Sequence, residues 1–221
     1  MKVLFIGNSY TYYNELWNIV KDIYKTQGVD IEVDHHTIGG ATLNQLFFED
    51  VESKKIIEDK VNNNTYDYMI IQEQSVRPVV DTQLFFESVI KIDNICKEKN
   101  INLILYETWG RKEGCFVLDE IKRTSEQMGK ELVNAYSEIA NKSNNKVSHV
   151  GKVFNYINKY HNDIELYTED KSHPSYEGSL IAAIVHYMTI ENKTPIFTNN
   201  IFNVNEETLK LLVDIASKII L

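Results

Sequence analysis

The sequence predicts a three-layer α/β/α protein in which helices cover both faces of a five-stranded parallel sheet. Two observations support this prediction: short apolar runs recur at regular intervals, and segments with helical periodicity lie between them. Strands that alternate with helices pair in parallel, and right-handed crossovers favour the doubly wound, flavodoxin-like strand order 2-1-3-4-5. A chain of 221 residues suits a single domain over residues 1–221.

Five short apolar runs are predicted as the strands, because each is too short for a helix of ordinary length. They lie at residues 2–7, 30–36, 66–71, 101–107 and 146–150. The first helix is predicted at 14–28, where Leu16, Ile19 and Ile23 recur with helical spacing and Gly28 ends the pattern. Further helices are predicted at 81–100, 119–141, 151–161, 176–192 and 205–220.

The composition limits the classes of partner. A formal net charge of -9 and a pI near 5.2 disfavour nucleic acid and anionic membranes. No segment approaches the roughly 18 apolar residues of a membrane span, and the first residues do not resemble a secretory signal, so a cytoplasmic location is expected. Cys96 and Cys115 lack metal-ligand spacing and are predicted to be buried thiols. Neither a metal ion nor an organic cofactor is expected.

Polar residues cluster where the predicted strands end. In a doubly wound sheet, ligands bind beyond the carboxyl ends of the strands, where loops from several strands converge. Three clusters follow the first three strands, and a fourth lies between the late helices. They occupy residues 7–9, 39–42, 72–75 and 170–174.

These clusters contain the groups that acyl transfer requires. A serine hydroxyl is a weak nucleophile until a histidine accepts its proton, and a carboxylate on the other ring nitrogen orients that histidine. The Asp-x-x-His spacing allows Asp170 to reach Nδ1 of His173 and leaves Nε2 free to face Ser9. Ser9 alone would more often be a helix cap, and the distant acid–histidine pair favours a nucleophile.

The ordered blocks "GNS", a glycine after the second strand, a polar block after the third and "DKSHPS" resemble the SGNH, or GDSL-type, esterase and lipase superfamily. The resemblance extends from residue 7 to residue 175. It implies that Ser9 is the nucleophile, His173 the general base and Asp170 its orienting carboxylate. It also implies that the backbone N–H groups of Ser9 and Gly40 contribute to an oxyanion hole.

Two blocks depart from the family pattern. Asn8 replaces the usual Asp, a mild change because Asn can hold the same turn. The third block is "QEQS" where the family has Gly-x-Asn-Asp, so the third oxyanion donor must be Gln74 or, alternatively, Gln72. The run "HPSYEGSLIAA" resembles a branch of the superfamily that also carries a Gln-rich third block.

Four residues are expected at the substrate pocket, each with an alternative. Gln72 and Glu73 follow the third strand, although Glu73 could instead hold its loop through a backbone contact. Trp109 follows the fourth strand and could equally be a core aromatic residue. Tyr10 could line the pocket or cover the first helix.

The sequence therefore predicts a serine esterase that removes a small acyl group, acetyl above all, from a carbohydrate or other small-molecule ester through an acyl-enzyme. The acetyl and carbohydrate preference is implied by the resemblance. The alternative is a non-catalytic module, either flavodoxin-like or carbohydrate-binding. A flavodoxin-like module would bind phosphate or FMN at the loop after the first strand, but it leaves Asp170 and His173 without a role.

Overall fold

In the computed structural model, which describes residues 1–221, one parallel sheet has the strand order β2-β1-β3-β4-β5. This order and the helices around the sheet confirm the predicted fold class. Each predicted strand is present, and its bounds differ from the prediction by only a few residues. The strands are β1 (Lys2–Gly7), β2 (Glu32–Thr37), β3 (Tyr68–Ile71), β4 (Asn102–Tyr106) and β5 (Lys146–Ser148).

Ten α-helices surround the sheet, and α3 and the short helices α1 and α4 are absent from the predicted set. They are α1 (Ser9–Tyr12), α2 (Leu16–Thr26), α3 (Val51–Asn63), α4 (Arg77–Val80), α5 (Thr82–Glu98), α6 (Phe116–Ile121), α7 (Ser125–Ser143), α8 (Val150–Tyr160), α9 (Tyr176–Glu191) and α10 (Glu206–Ile220). No helix combines the length and the apolar character needed to cross a membrane.

The single helix predicted at 119–141 is instead two helices, α6 and α7. Lys122 ends α6 in the left-handed conformation, with φ of 54°. The Thr124 hydroxyl then accepts the Gln127 N–H at 3.2 Å, and the Gln127 side chain accepts the Thr124 N–H at 2.9 Å. This capping box starts a new helix, because two of its otherwise unpaired N–H groups gain acceptors.

Apolar residues of the central strands alternate between two cores, one on each face of the sheet. Val3 and Phe5 of β1 pack with α2, α8, α9 and α10, whereas Leu4 and Ile6 pack with the opposite layer. That opposite layer comprises α3, α5 and α7. The alternation follows from the period-two geometry of a strand. The strand order decides which loops meet at the carboxyl edge. Both cysteines are buried and free, as predicted.

Candidate active site

A cavity of about 300 Å³ opens at the carboxyl edge of the sheet, beside the ends of β1, β2 and β3. Eleven residues line this cavity, and only two of them are hydrophobic. Loops from five different parts of the chain meet there, as expected at the carboxyl ends of parallel strands. The lining includes Ser9, Tyr10, Gly40, Gln74, Arg111 and His173.

The turn after β1 places Ser9 at the N-terminus of α1. Asn8 caps this helix, because its Oδ1 accepts the Tyr10 N–H at 3.2 Å. Its Nδ2 donates to the Ala41 carbonyl at 3.0 Å, in the loop after β2. An ionised Asp has no proton to donate to a carbonyl, so asparagine is the better residue for joining these two loops.

Gln72 lies beneath the Ser9 turn and does not reach the cavity. Its Oε1 accepts the Asn8 N–H and the Thr11 hydroxyl, both at 2.9 Å, and the residue is fully buried. A Cβ at Gly7 would come within 2.7 Å of Gln72 Oε1, so only glycine fits there. The expectations that Gln72 lines the pocket or donates to the oxyanion are therefore corrected: it supports the turn that carries Ser9.

Glu73 connects the loops after β2 and β3. One carboxylate oxygen accepts the N–H of Leu43 at 3.1 Å and of Gln74 at 2.7 Å, and the side chain is only 1% exposed. Burial raises the pKa of Glu73 to about 7, and the two N–H groups offset only part of that rise. Glu73 does not line the cavity, so its alternative role of holding the loop is the one that the structure supports.

Gln74 faces the cavity in a fixed orientation. Its Oε1 accepts the N–H groups of Val76 at 2.8 Å and Arg77 at 3.1 Å. With the carbonyl end of the amide held in this way, Nε2 has no partner within the chain. The side chain is therefore available as a donor to a ligand in the cavity.

The segment before α9 forms a loop that is closed by an antiparallel bridge between Tyr167 and Pro174. His173 directs Nε2 at Ser9 Oγ, 2.8 Å away, and its Nδ1 bonds Asp170 Oδ2. This arrangement corresponds to the tautomer that carries its proton on Nδ1, which leaves Nε2 free to accept the Ser9 hydroxyl proton. Ser9 thus joins the Asp170–His173 pair, 164 residues away from it along the chain at His173, in one hydrogen-bonded chain.

Asp170 is held by several donors at once. Its Oδ1 accepts the N–H groups of Ser172 and His173, each at 2.9 Å, and the Thr168 hydroxyl at 2.8 Å. Partial burial raises the pKa of Asp170, but the His173 ring and these donors outweigh it and hold the pKa well below its usual range. The carboxylate is therefore ionised at neutral pH and oriented toward the His173 ring.

The tyrosines that follow Ser9 position the His173 loop. The Tyr10 hydroxyl lies 2.8 Å from Ser172 Oγ, and the Tyr13 ring stacks on the His173 ring with centroids 4.3 Å apart. Trp109 stacks on Tyr10 and donates from Nε1 to the Ser172 carbonyl at 3.1 Å. Because Trp109 is fully buried and does not line the cavity, it is the core aromatic residue of its two alternatives.

Arg111 lines the cavity, although it lies outside the four polar clusters predicted from the sequence. Its guanidinium donates to Ser75 Oγ at 3.0 Å and to Ser172 Oγ, and so joins the loop after β4 to two other cavity loops. The signal was present, because Arg111 follows β4 at the same edge of the sheet where polar residues follow the other strands. No group of three or more His, Cys, Asp or Glu side chains is placed to hold a metal ion.

The strand order, the serine turn after β1 and the acid–histidine loop before α9 together define the fold class of the SGNH-type hydrolases. A protein from Slackia heliotrinireducens that is described as an SGNH hydrolase has 26% sequence identity and a TM-score of 0.77, covering 86% of this chain and 98% of that one. These values confirm the resemblance that the sequence blocks indicate.

Two further solved structures share the fold at lower identity. A DUF4886 family protein from Bacteroides uniformis has a TM-score of 0.84 at 16% identity, covering 99% of this chain and 93% of that one. An acetyl xylan esterase has a TM-score of 0.68 at 19% identity, covering 86% of this chain and all of that one (100%). No family model and no curated protein matches the chain.

Proposed function

We propose that this chain is a serine esterase that hydrolyses a small acyl ester, acetyl in the first instance, of a carbohydrate or another small molecule. The observation that carries the proposal is the hydrogen-bonded chain from Asp170 through His173 to Ser9, with Nε2 and Oγ 2.8 Å apart at the cavity. A neutral imidazole in this position can accept the serine proton as Oγ attacks a carbonyl carbon.

In the first half-reaction, Ser9 Oγ bonds to the carbonyl carbon while its proton passes to His173 Nε2. The carbonyl oxygen becomes an oxyanion, for which the Ser9 and Gly40 N–H groups and the Gln74 amide are the candidate donors. The oxyanion then collapses, the ester C–O bond breaks, and His173 returns the proton to the departing alcohol. The acyl group remains on Ser9.

In the second half-reaction, His173 accepts a proton from water as the water oxygen attacks the acyl-enzyme. The tetrahedral intermediate collapses and releases the carboxylic acid, and the proton returns to Ser9 Oγ. Asp170 stays ionised throughout and stabilises the imidazolium that forms in each half-reaction. The pKa of Asp170 is low because its hydrogen bonds outweigh the effect of partial burial, and this fits the role.

The size and polarity of the cavity support a small acyl group. At about 300 Å³, with two hydrophobic residues among eleven, it offers no long apolar channel for a fatty-acid chain. The acetyl preference also draws on one structural neighbour, which is described as an acetyl xylan esterase.

Active-site labelling tests the nucleophile directly. A fluorophosphonate probe should add to wild-type protein at Ser9, detected by intact mass and peptide mapping, and should not add to Ser9→Ala. Ser75→Ala is the matched control, because Ser75 also lines the cavity but its hydroxyl bonds Arg111 rather than a histidine. Equal labelling of wild type and Ser9→Ala would exclude Ser9 as the nucleophile.

Acetate release tests the reaction. Wild-type protein should release acetate from 4-nitrophenyl acetate and from acetylated xylo-oligosaccharides, and a 4-nitrophenyl ester of a long-chain acid should be a poor substrate. A chain that binds these sugars without releasing acetate would instead be the non-catalytic module of the alternative hypothesis.

A further inference from the structure

Arg111 is unlike the other arginines of the chain. The sequence has three, and the other two pair with carboxylates: Arg77 with Asp81 at 2.9 Å and Arg123 with Glu131 at 2.6 Å. Arg111 forms no ion pair, and both of its terminal nitrogens bond serine hydroxyls. Arg111 is thus a positive charge without a carboxylate partner in the cavity that contains Ser9 and His173, although the net charge of the chain is -9.

The surroundings of Arg111 leave its charge uncompensated. The residue is partly buried, and its Nε is buried without a hydrogen-bond partner. The nearby Asp170 carboxylate is engaged with the His173 ring and its loop and lies beyond ion-pair distance of the guanidinium. Removing a charge from water without a partner is costly, so such a group favours an anion that enters the cavity.

The two serines hold the guanidinium within the cavity lining. Ser75 directly follows the oxyanion candidate Gln74, and Ser172 directly precedes His173. Arg111 therefore lines the same cavity as Ser9 and His173, so an ester bound at Ser9 can present a substituent to the guanidinium. A planar guanidinium with donors on one edge suits a carboxylate, which can accept from two nitrogens at once.

We propose that Arg111 is a specificity-determining residue that selects esters carrying a carboxylate near the scissile bond. This inference rests on the proposed esterase function. Because the proposed acyl group is acetyl, which is neutral, the carboxylate belongs to the alcohol part of the ester. The substrate class is thus the acetyl ester of an acidic alcohol, of which an acetylated uronic acid is one chemical example.

A pair of esters that differ only in charge tests this inference. The probes are 4-acetoxybenzoate, which carries a carboxylate, and 4-acetoxybenzamide, its neutral counterpart of similar shape. Wild-type protein should have the higher kcat/KM for the carboxylate, and added salt should reduce this preference. Arg111→Gln should lower the ratio of the two kcat/KM values by about 10- to 100-fold, the range for a charge-assisted hydrogen bond.

Two variants separate specificity from loop positioning. Arg111→Lys keeps the charge and should retain part of the preference. Lys112→Gln removes a neighbouring charge that pairs with Glu165 outside the cavity, and it should leave the ratio unchanged. If Arg111→Gln slows both esters equally, Arg111 only positions the Ser75 and Ser172 loops and the inference is wrong.

Binding measurements keep this inference distinguishable from the proposed function. The amides 4-acetamidobenzoate and 4-acetamidobenzamide resemble the two esters but resist hydrolysis, so calorimetry can compare their affinities even for a protein without esterase activity. Tighter binding of the carboxylate that is lost in Arg111→Gln supports the anion site. Hydrolysis of the neutral ester without any Arg111-dependent preference would overturn this inference and leave the esterase proposal intact.

Discussion

Two carboxylate–histidine pairs lie at the carboxyl edge of the sheet, and they differ in what faces the second ring nitrogen. In one, Asp170 bonds Nδ1 of His173, and Nε2 faces the Ser9 hydroxyl at the cavity. In the other, Glu107 bonds Nδ1 of His149 at 2.7 Å, and Nε2 lies 3.2 Å from the Lys152 ammonium.

The second pair stabilises a helix. Glu107 is fully buried directly after β4, and its Oε1 accepts the Lys152 N–H at 2.9 Å in the first turn of α8. A carboxylate at this position pairs one of the unsatisfied N–H groups of the helix start and interacts favourably with the helix dipole. Only His173 directs its free ring nitrogen at a hydroxyl in the cavity, so of the two pairs only Asp170–His173 is placed to act as a base toward a serine.

Replacing His173 or His149 by alanine should give the largest difference in kcat between the two carboxylate–histidine pairs. His173→Ala removes the base that faces Ser9, and kcat should fall on the order of 10⁴-fold or more. His149→Ala should keep kcat within about threefold but lower the melting temperature, because Glu107 loses its ring partner. Steady-state hydrolysis of 4-nitrophenyl acetate and thermal unfolding measure both effects. Loss of activity in a folded His149→Ala protein would contradict the distinction.

Replacing Asp170 or Glu107 by its amide should also affect kcat in one pair and leave it nearly unchanged in the other. Asp170→Asn favours the wrong tautomer of His173, and kcat should fall by up to about 10⁴-fold while the chain stays folded. Glu107→Gln retains an acceptor for Lys152 and should change kcat by less than about threefold, with a loss of roughly 1–3 kcal/mol in the free energy of unfolding. Equal effects of both variants on kcat would show that the pairs do not differ in role.

Gln72 and Gln74 provide a parallel contrast between loop support and contact with the reacting atoms. Gln74→Ala should lower kcat by about 100- to 1000-fold with little change in KM, since one oxyanion donor is lost. Its melting temperature should fall only modestly, because the Val76 and Arg77 N–H groups that lose their acceptor are partly exposed. Gln72→Ala should cost less in kcat but lower the melting temperature, because the Asn8 N–H and the Thr11 hydroxyl lose their acceptor. If Gln74→Ala retains more than about a third of kcat, Gln74 is not an oxyanion donor.

Glu73 provides the test with the smallest expected effect, because it is a buried carboxylate that, unlike Glu107, has no histidine ring bonded to it. Its pKa is raised from an ordinary value of 4.5 to about 7, so the folded chain binds the proton more tightly than the unfolded chain. The contribution of Glu73 to stability therefore falls as pH rises from 4.5 through 7. The melting temperature of wild type relative to Glu73→Gln should fall on the order of 5 °C over this range. Parallel pH profiles for the two proteins would contradict the raised pKa.

Much of the fold could be predicted from the sequence, because its strands are short apolar runs separated by amphipathic helices. The break between α6 and α7 was missed because helical periodicity continues across Lys122, whose left-handed conformation is a local event. The signal that could have located it is the capping pattern at Thr124 and Gln127. Periodicity thus predicts elements better than it predicts where they end.

The candidate site was only partly predictable. Ser9 and the Asp170–His173 pair carry local motifs, so their positions could be predicted. Gln72 was the alternative to Gln74 as oxyanion donor, and it could replace Gln74 only if the chain stayed extended so that both side chains faced the same way. Instead β3 ends at Ile71, and the Gln74 carbonyl accepts the Arg77 N–H in a turn. Once the strand ends, the period of two no longer applies.

The pairing of Glu107 with His149 and the contacts of Arg111 with two serines have no local signal. These partners lie 42, 36 and 61 residues apart, so only the folded loops bring them together. Exposure is equally hard to predict: Trp109 follows a strand just as Arg111 does, yet it is buried and Arg111 lines the cavity.

The short segment after Ser9 contacts the late segment that carries His173, and this separation bears on the order in which the site assembles. Tyr10 and Tyr13 hold the His173 loop, and Asn14 donates to the Ser175 carbonyl at 3.0 Å, 161 residues along the chain. Contacts of such long sequence separation form late, after the loop-closure entropy between the two segments has been overcome. In the proposed mechanism, Ser9 therefore has no base during synthesis on the ribosome until the segment that carries His173 has emerged and docked.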